Sequence, residues 1–233
     1  MQPTICNQEN SQEIYDSFND FIFSKDRNVF NKLMLRHELY SSVKHLHGDI
    51  VECGVFKGSG IMTWCKLLQM YEPNSIKKVI GFDMFSKDFV GELSDDIERD
   101  MMSQVFTRDA NLNNKTISLN SVTNRLLNAN IPAKSFELIE GDASETTREY
   151  TENRPGFLIS LLYLDMDLYE PTFNTLKNLW DYVTPGGIVV FDEYAYSAWS
   201  ETQAVDNFFL DKEVEILNTN FAAPTAYVIK ERE

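Results

Sequence analysis

The chain reads as an α/β protein on a doubly wound, mostly parallel seven-stranded sheet, with a helical preface before the sheet and a cap inserted into it. Three observations predict this. Short apolar runs alternate with stretches of helical period, the order that builds βαβ units. Several of those runs end in an acid, as expected where the carboxyl ends of parallel strands gather at one edge and hold a ligand. The last two runs, 214–217 and 226–229, follow each other with no helix between them, so they pair and make the edge antiparallel. The 233 residues are expected as one domain, with 1–47 the preface and 84–130 the cap.

In the preface, Ile14, Phe18, Phe21 and Ile22 recur at helical spacing, as do Phe30 and Leu33, and Leu35, Leu39 and Val43 step by four. This segment is expected to pack on the sheet. Strand one is 49–53, followed by a glycine-bearing turn and a helix through 61–68. Strand two is 78–83. Residues 84–130 are rich in Asp, Ser, Asn and Met and show only patches of helical period. They are too long for an ordinary connection, and read as a mobile cap over the site with a helix near 120–130. Strand three is 136–140. Strands four and five are the apolar runs leading into Asp165 and Asp192. Between them 172–182 is helical, and Thr184-Pro185-Gly186-Gly187 is a turn that stops it. Residues 202–210 form a further helix.

Hydrophobic residues, 43 % of the chain, supply a core. A net charge of −15 repels nucleic-acid phosphates, and no basic stripe offsets it. The three cysteines, Cys6, Cys53 and Cys65, are odd in number and form no CxxC, which points to a reducing cytoplasm. Met1-Gln2-Pro3-Thr4 does not open a basic-then-apolar leader. No run approaches the ~18–20 apolar residues of a membrane span.

The first turn, Glu52-Cys53-Gly54-Val55-Phe56-Lys57-Gly58-Ser59-Gly60, departs from the G-x-G-x-x-G of dinucleotide sites. An acid two residues before the first glycine is more typical of S-adenosylmethionine (SAM) binding, where Glu52 accepts from the ligand's ammonium. Gly54, Gly58 and Ser59 let the backbone approach the ligand. Asp83, ending strand two, is placed to hold ribose hydroxyls, and Asp142, after strand three, to accept from adenine. Each signal alone also reads as a turn or a helix cap. Their order after three successive strands favours an adenosyl ligand.

At the other end, Asp165 and Asp167 share a side if the strand stays extended, with Met166 opposite. Asp192 and Glu193 are adjacent, so both reach one ion only where the strand has opened into a loop. Clustered acids repel one another unless a cation compensates, and Mg²⁺ prefers such oxygens. The competing reading is that Asp167 or Glu170 caps the helix near Pro171-Thr172. His37, His45 and His47 lack a third His or a Cys pair, and read as packing or surface residues. No G-x-S-x-G, HExxH or P-loop occurs. Phe85, Phe89, Tyr169, Tyr194, Tyr196 and Trp199 are core residues or walls of an acceptor pocket.

The runs Val51-Glu52-Cys53-Gly54-Val55-Phe56-Lys57-Gly58, Gly81-Phe82-Asp83, Leu164-Asp165-Met166-Asp167-Leu168-Tyr169-Glu170-Pro171-Thr172, Pro185-Gly186-Gly187 with Asp192, and Ala204-Val205-Asp206 with Phe208 carry a resemblance. From about Gly48 to Phe209 the chain resembles the macrocin O-methyltransferase family, metal-dependent SAM enzymes that methylate sugar hydroxyls in antibiotic pathways. The resemblance implies a Rossmann-like class I SAM-methyltransferase fold and a Mg²⁺ cofactor. It implies a small sugar-containing acceptor and a homodimer or higher homo-oligomer. Asp165 and Asp192 would be metal ligands and Asp167 the general base. Glu193 stands where the family has a second Asp, and would be the third ligand. Met166 stands where the family often has Gly. The alternatives are a metal-dependent methyltransferase of a catechol or other diol, and a non-catalytic protein on the same fold. A nicotinamide oxidoreductase is disfavoured by the glycine spacing.

Overall fold

The computed structural model describes residues 8–108, 112–196, 199–221 and 224–231. Cys6, the first four residues and part of the expected cap fall outside them. In order, the elements are α1 (Gln8–Phe23), α2 (Asn28–Val43), β1 (Asp49–Cys53), α3 (Ser59–Tyr71), β2 (Val79–Asp83), α4 (Asp96–Thr107), α5 (Asn114–Ile117), α6 (Leu119–Asn128) and β3 (Phe136–Glu140). There follow α7 (Ala143–Glu152), β4 (Ile159–Leu164), α8 (Tyr169–Leu179), β5 (Val183–Phe191), α9 (Glu201–Phe209), β6 (Leu217–Asn218) and β7 (Ala226–Ile229). The seven strands lie in the order β3-β2-β1-β4-β5-β7-β6. The first five are parallel, and β7 and β6 complete the sheet with the expected antiparallel edge, although β6 is Leu217–Asn218 and not the expected 214–217.

Alternation along the strands divides the core in two. Ile50, Leu161, Tyr163 and Val190 face one side, where α2, α3 and α6 cover them. Val51, Leu162, Leu164 and Val189 face the other, under α7, α8 and α9. Central β4 is buried at every position, as a parallel strand covered on both faces must be. The chain winds outward from β1 through β2 to β3, then from β4 to β5 in the opposite direction. The carboxyl ends of β1 and β4 therefore frame the crevice at which such sheets bind ligands.

Four expectations change. Thr184-Pro185-Gly186-Gly187 does not end before the strand but lies inside β5. Val183 pairs with Ile159 and Ile188 with Leu161, so these residues bulge opposite Ser160, and Gly186 supplies a φ of +85°. In the preface only α2 packs, burying Leu35, Leu39 and Val43. α1 leaves Ile14 and Phe18 68 % and 55 % exposed. The expected cap also splits. Val122 and Leu126 are buried, so α6 is a layer helix of the sheet, and the cap proper keeps its own small cluster around Val90, Met102 and Leu168. Finally, α7 escaped the periodicity because it buries threonines. Thr147 and Thr151 satisfy their hydroxyls on carbonyls one turn back, at 2.5 and 3.2 Å. Among the described residues no helix is long and apolar enough to cross a membrane.

Candidate active site

The turn after β1 is shaped by close approach. Gly54 has φ +95°, and a Cβ there would fall 1.9 Å from the carbonyl oxygen of Asp165. The Asp165 N–H donates to the Cys53 carbonyl at 2.8 Å, so the β1 and β4 ends are sewn together where the crevice opens. Asp83 organises the same turn. One of its oxygens accepts from the N–H groups of Val55 and Phe56 at 2.7 and 2.9 Å, and the other from Phe85 at 2.6 Å. Burial raises its carboxyl, and those three donors oppose the rise.

A cavity of about 660 Å³ opens above this turn. Glu52, Gly54, Ser59, Asp83, Asp142, Asp165 and Asp167, each singled out in the sequence, line it. Asp142 also caps α7 by accepting from the Ser144 N–H at 2.8 Å. Gly58 corrects an expectation, because it does not line the cavity. A Cβ there would lie 2.7 Å from Val122, so this glycine serves the packing of α6. Gly60 lines the cavity instead, and a Cβ on it would strike the Glu52 carboxylate at 2.0 Å.

Glu52 anchors a buried polar network that the sequence did not reveal. Its carboxylate accepts from Trp64 Nε1 at 2.6 Å and lies 3.8 Å from the Arg36 guanidinium. Burial pushes it up to about 7, against the pull of Arg36 and Trp64. Arg36 in turn lies over the ring of Tyr163, 4.9 Å from its centroid. The Tyr163 hydroxyl donates to Asp192, whose second oxygen accepts from Lys32 Nζ at 2.5 Å. Lys32 and Arg36 stand one turn apart on α2, beside the buried Leu35 and Leu39 stripe. That interleaving was the available signal that α2 delivers two cations to the site.

The acids are arranged differently from a strand's alternation. β4 stops at Leu164, and the chain then turns: Asp167 has φ +65° and the Leu168 N–H donates back to the Met166 carbonyl at 2.7 Å. Asp165 and Asp167 still both reach the cavity. Leu168 is the N-cap of α8 and makes no side-chain cap, so neither Asp167 nor Glu170 serves there. Beyond β5 the strand has opened as required. Asp192 is buried with Lys32 and Tyr163, and Glu193 sits half-buried in the following turn, but neither lines the cavity.

One residue of α9 ties the two acid loops together. The Glu201 side chain accepts from the Glu193 N–H at 2.9 Å, while its backbone N–H donates to the Asp167 carbonyl at 3.2 Å. Glu201 is fully buried, and its second carboxylate oxygen has no partner among the described residues. Burial drives its carboxyl well above the usual range.

Among the described residues no three acids stand where one ion could bind them all, because Asp192 is turned to Lys32 and Tyr163. The donor set nevertheless suits a hard cation in kind. Burial and then the Asp192 charge drive Asp165 well up. Burial, Glu193 and Asp192 push Asp167 up to about 7. Burial and Asp192 raise Glu193. A divalent ion relieves such mutual repulsion. Lys32 relieves part of it now. Burial works against its charge, but Asp165 and Asp192 outweigh burial and hold the ammonium above its ordinary range.

Phe56, Phe89 and Phe106 wall the cavity, with ring pairs 6.0 Å apart, beside Met102 and Val105 of α4. Of the aromatic residues singled out in the sequence, Phe89 alone appears in this lining. Tyr169 stacks on Phe173 and Phe85 is core. Glu98 of α4 latches the cap to the acid side by accepting from the Ser200 hydroxyl and, at 3.3 Å, from the Tyr169 N–H.

The family model for macrocin O-methyltransferase (TylF) matches residues 34–220. A demethyldecarbamoylnovobiocin O-methyltransferase of Streptomyces niveus is 26 % identical over 147 residues, 63 % of this chain and 53 % of that protein. An 8-demethyl-8-(2,3-dimethoxy-alpha-L-rhamnosyl)-tetracenomycin-C 4'-O-methyltransferase of Streptomyces olivaceus is 24 % identical over 154 residues, 65 % and 54 % of the two chains. The chain thus spans about half the length of the curated relatives it matches. The O-methyltransferase NovP superposes with a TM-score of 0.71 at 25 % identity, covering 87 % of this chain and 80 % of that one. Apo CalS11, a TDP-rhamnose 3'-O-methyltransferase, gives 0.68 at 25 % identity, covering 98 % and 88 %. The sheet is thus that of class I SAM methyltransferases, and the chain belongs to the macrocin O-methyltransferase family.

Proposed function

We propose that the chain is a SAM-dependent, Mg²⁺-assisted O-methyltransferase, working as one domain on a sugar hydroxyl of a small acceptor. The observation that carries this reading is the meeting of the glycine turn with Asp165 and Asp167 around one cavity at the switch point of the sheet. The family supports it, and so do relatives whose names specify a rhamnosyl tetracenomycin and TDP-rhamnose as substrates.

The turn fits an adenosyl ligand because Gly54 and Gly60 leave its backbone open to the cavity. Glu52 stands at the cavity's base for the ammonium, Asp83 for the ribose and Asp142 for the adenine. SAM bound there would supply an electrophilic methyl, its C–S bond breaking as the new C–O bond forms and S-adenosylhomocysteine leaving. Asp165, Asp192 and Glu193 would hold a Mg²⁺ only once Asp192 has turned from Lys32 and Tyr163 toward Asp165, and the ion would supply Lewis acidity toward the acceptor hydroxyl. Asp167 takes the proton of that hydroxyl as its oxygen attacks the methyl carbon. Its carboxyl, brought to about 7, is matched to that task. Phe56, Phe89, Phe106 and Met102 exclude water and fix the acceptor, and placement supplies much of the rate.

Calorimetric titration with S-adenosylhomocysteine (SAH), once with Mg²⁺ and once with EDTA, tests the adenosyl end. Binding in both conditions is expected, with the metal confined to the acceptor side. No binding in either sinks the reading. The free, buried Cys53 and Cys65 support placement in a reducing cytoplasm. We also propose that the chain pairs with a second copy through α1 and α2. Nine large apolar residues of these helices stand exposed, Phe23, Ile14 and Val29 among them. Light scattering of the purified chain should give twice the monomer mass, and Phe18→Glu with Phe30→Glu should halve it. A monomeric parent would refute the pairing.

A further inference from the structure

We infer that Lys32 is an internal rival of the divalent cation: its ammonium keeps Asp192 turned from the other acids and must withdraw before they can take an ion. The inference rests on the Mg²⁺-assisted reading. The side chain of Asp192 is fully buried, and both its oxygens are engaged. One accepts from the Tyr163 hydroxyl and the other from Lys32 Nζ at 2.5 Å. Its backbone is pinned as well. The N–H donates to the Leu164 carbonyl at 3.0 Å, and the carbonyl accepts from the Thr225 hydroxyl at 3.1 Å. What is left to move is the carboxylate, and Lys32 holds it.

The two partners of Asp192 are not equivalent. Tyr163 offers a neutral hydroxyl, whereas Lys32 carries charge. Taking an ammonium from a buried carboxylate with nothing in its place leaves an uncompensated charge, the costly way to break such a pair. A divalent ion is a replacement of the same sign, so an exchange of cations keeps the acids compensated throughout. The charges of both Asp165 and Asp192 bear on the ammonium. It therefore stands in the field of two of the three proposed metal ligands. Arg36, one turn further along α2, is no exchangeable cation. It lies 3.8 Å from Glu52, its side chain is 9 % exposed, and the ring of Tyr163 covers it. The Lys32 side chain is 36 % exposed and lines the cavity. It comes from the half of α2 where Val29, Phe30 and Leu33 are also open to solvent. Rotation about its own four-carbon stem brings the strongly hydrated ammonium to water with no movement of the helix.

Two consequences follow for the acids. The affinity for a divalent ion equals the affinity of the opened site scaled by the fraction of molecules in which Lys32 has withdrawn. A fraction of about one tenth weakens binding about tenfold. The residue that sets metal affinity thus lies on the helical preface and not on the strand ends that supply the ligands. In the other direction, the ammonium holds the buried end of β5 in register with α2, so this part of the site keeps its fold without an ion.

The test uses the purified full chain and Mn²⁺, whose free concentration is read by electron paramagnetic resonance. Lys32→Met should bind Mn²⁺ at least about tenfold more tightly than the parent. Lys32→Arg, which keeps a cation in place, should stay near the parent's affinity. Asp192→Asn added to Lys32→Met should erase the gain. Lysine acylation followed by mass spectrometry reads the exchange directly on the unaltered chain. Lys32 should react about tenfold faster in saturating Mn²⁺ than in EDTA, while the exposed Lys66 reacts equally in both. An affinity unchanged or weakened in Lys32→Met, or acylation of Lys32 indifferent to the metal, overturns the inference and leaves the Mg²⁺ reading standing. Where Lys32→Met fails to fold, the acylation result decides alone. Absence of Mn²⁺ binding at millimolar concentration by the parent and by the folded variant overturns the inference and the Mg²⁺ reading together.

Discussion

Replacing Asp167 by Asn is expected to lower kcat by about a hundred- to ten-thousandfold, the span general-base catalysis typically provides, while SAH binding stays at the parent's level. The substitution is chosen for the backbone as much as for the charge. Asp167 sits at φ +65°, a region Asn enters as readily as Asp, whereas most side chains are strained there. Its carbonyl still accepts from the Glu201 N–H, so the clamp between the loops survives. What disappears is an acceptor for the hydroxyl proton. The measurement is single-turnover methyl transfer alongside calorimetric SAH affinity. Full turnover would show that another group takes the proton, or that the chain serves as a scaffold with no chemistry at Asp167.

The second large effect belongs to Gly54→Ala. A Cβ at that position lies 1.9 Å from a backbone oxygen, and no rotamer change relieves a clash with backbone. The φ of +95° adds about 1–2 kcal/mol for a residue with a side chain. Overpacking between the β1 and β4 ends adds roughly 1–3 kcal/mol. For a chain of this size the midpoint of thermal unfolding should fall by roughly 5–15 °C. SAH affinity should drop at least about tenfold, because the displaced turn is the one proposed to hold the adenosyl ligand. Gly91→Ala is the matched control, since a Cβ there meets nothing within 4 Å. An unaltered midpoint with full affinity would mean that the two strand ends are not held as tightly as the structure shows.

These two positions mark what the sequence made legible. The strand ends carrying Glu52, Asp83, Asp142, Asp165 and Asp192 could be read because an apolar run followed by an acid is a local pattern, and parallel topology brings such ends to one edge. Asp167 reached the cavity for a reason that period-two reasoning missed, since its strand had already ended. Gly58 was misassigned because a glycine needed for packing against Val122 looks, in sequence, like one needed for a ligand. Lys32, Arg36 and Glu201 were passed over for a different reason. Lys32 meets Asp192 far along the chain, Arg36 meets Glu52 across the α2–β1 connection and Glu201 meets the Glu193 amide across a turn, and a charged side chain on a helix reads as solvated until the fold is known. The cap was overextended because the 84–130 composition hid where its polar half stopped and α6 began to pack.

The position of Glu201 has a bearing on how this protein can be altered. Because one residue grips the Asp167 carbonyl with its amide and the Glu193 amide with its carboxylate, the two acid loops inherit a common alignment from α9. Substitutions on the two loops are therefore expected to be epistatic, since a shift in either is communicated through the same pin. A chimera that exchanged the C-terminal segment with a relative's would carry over none of the acids and would still retune all of them. Residue 201 therefore belongs with the acids when family members are recombined or compared, although it does not line the cavity.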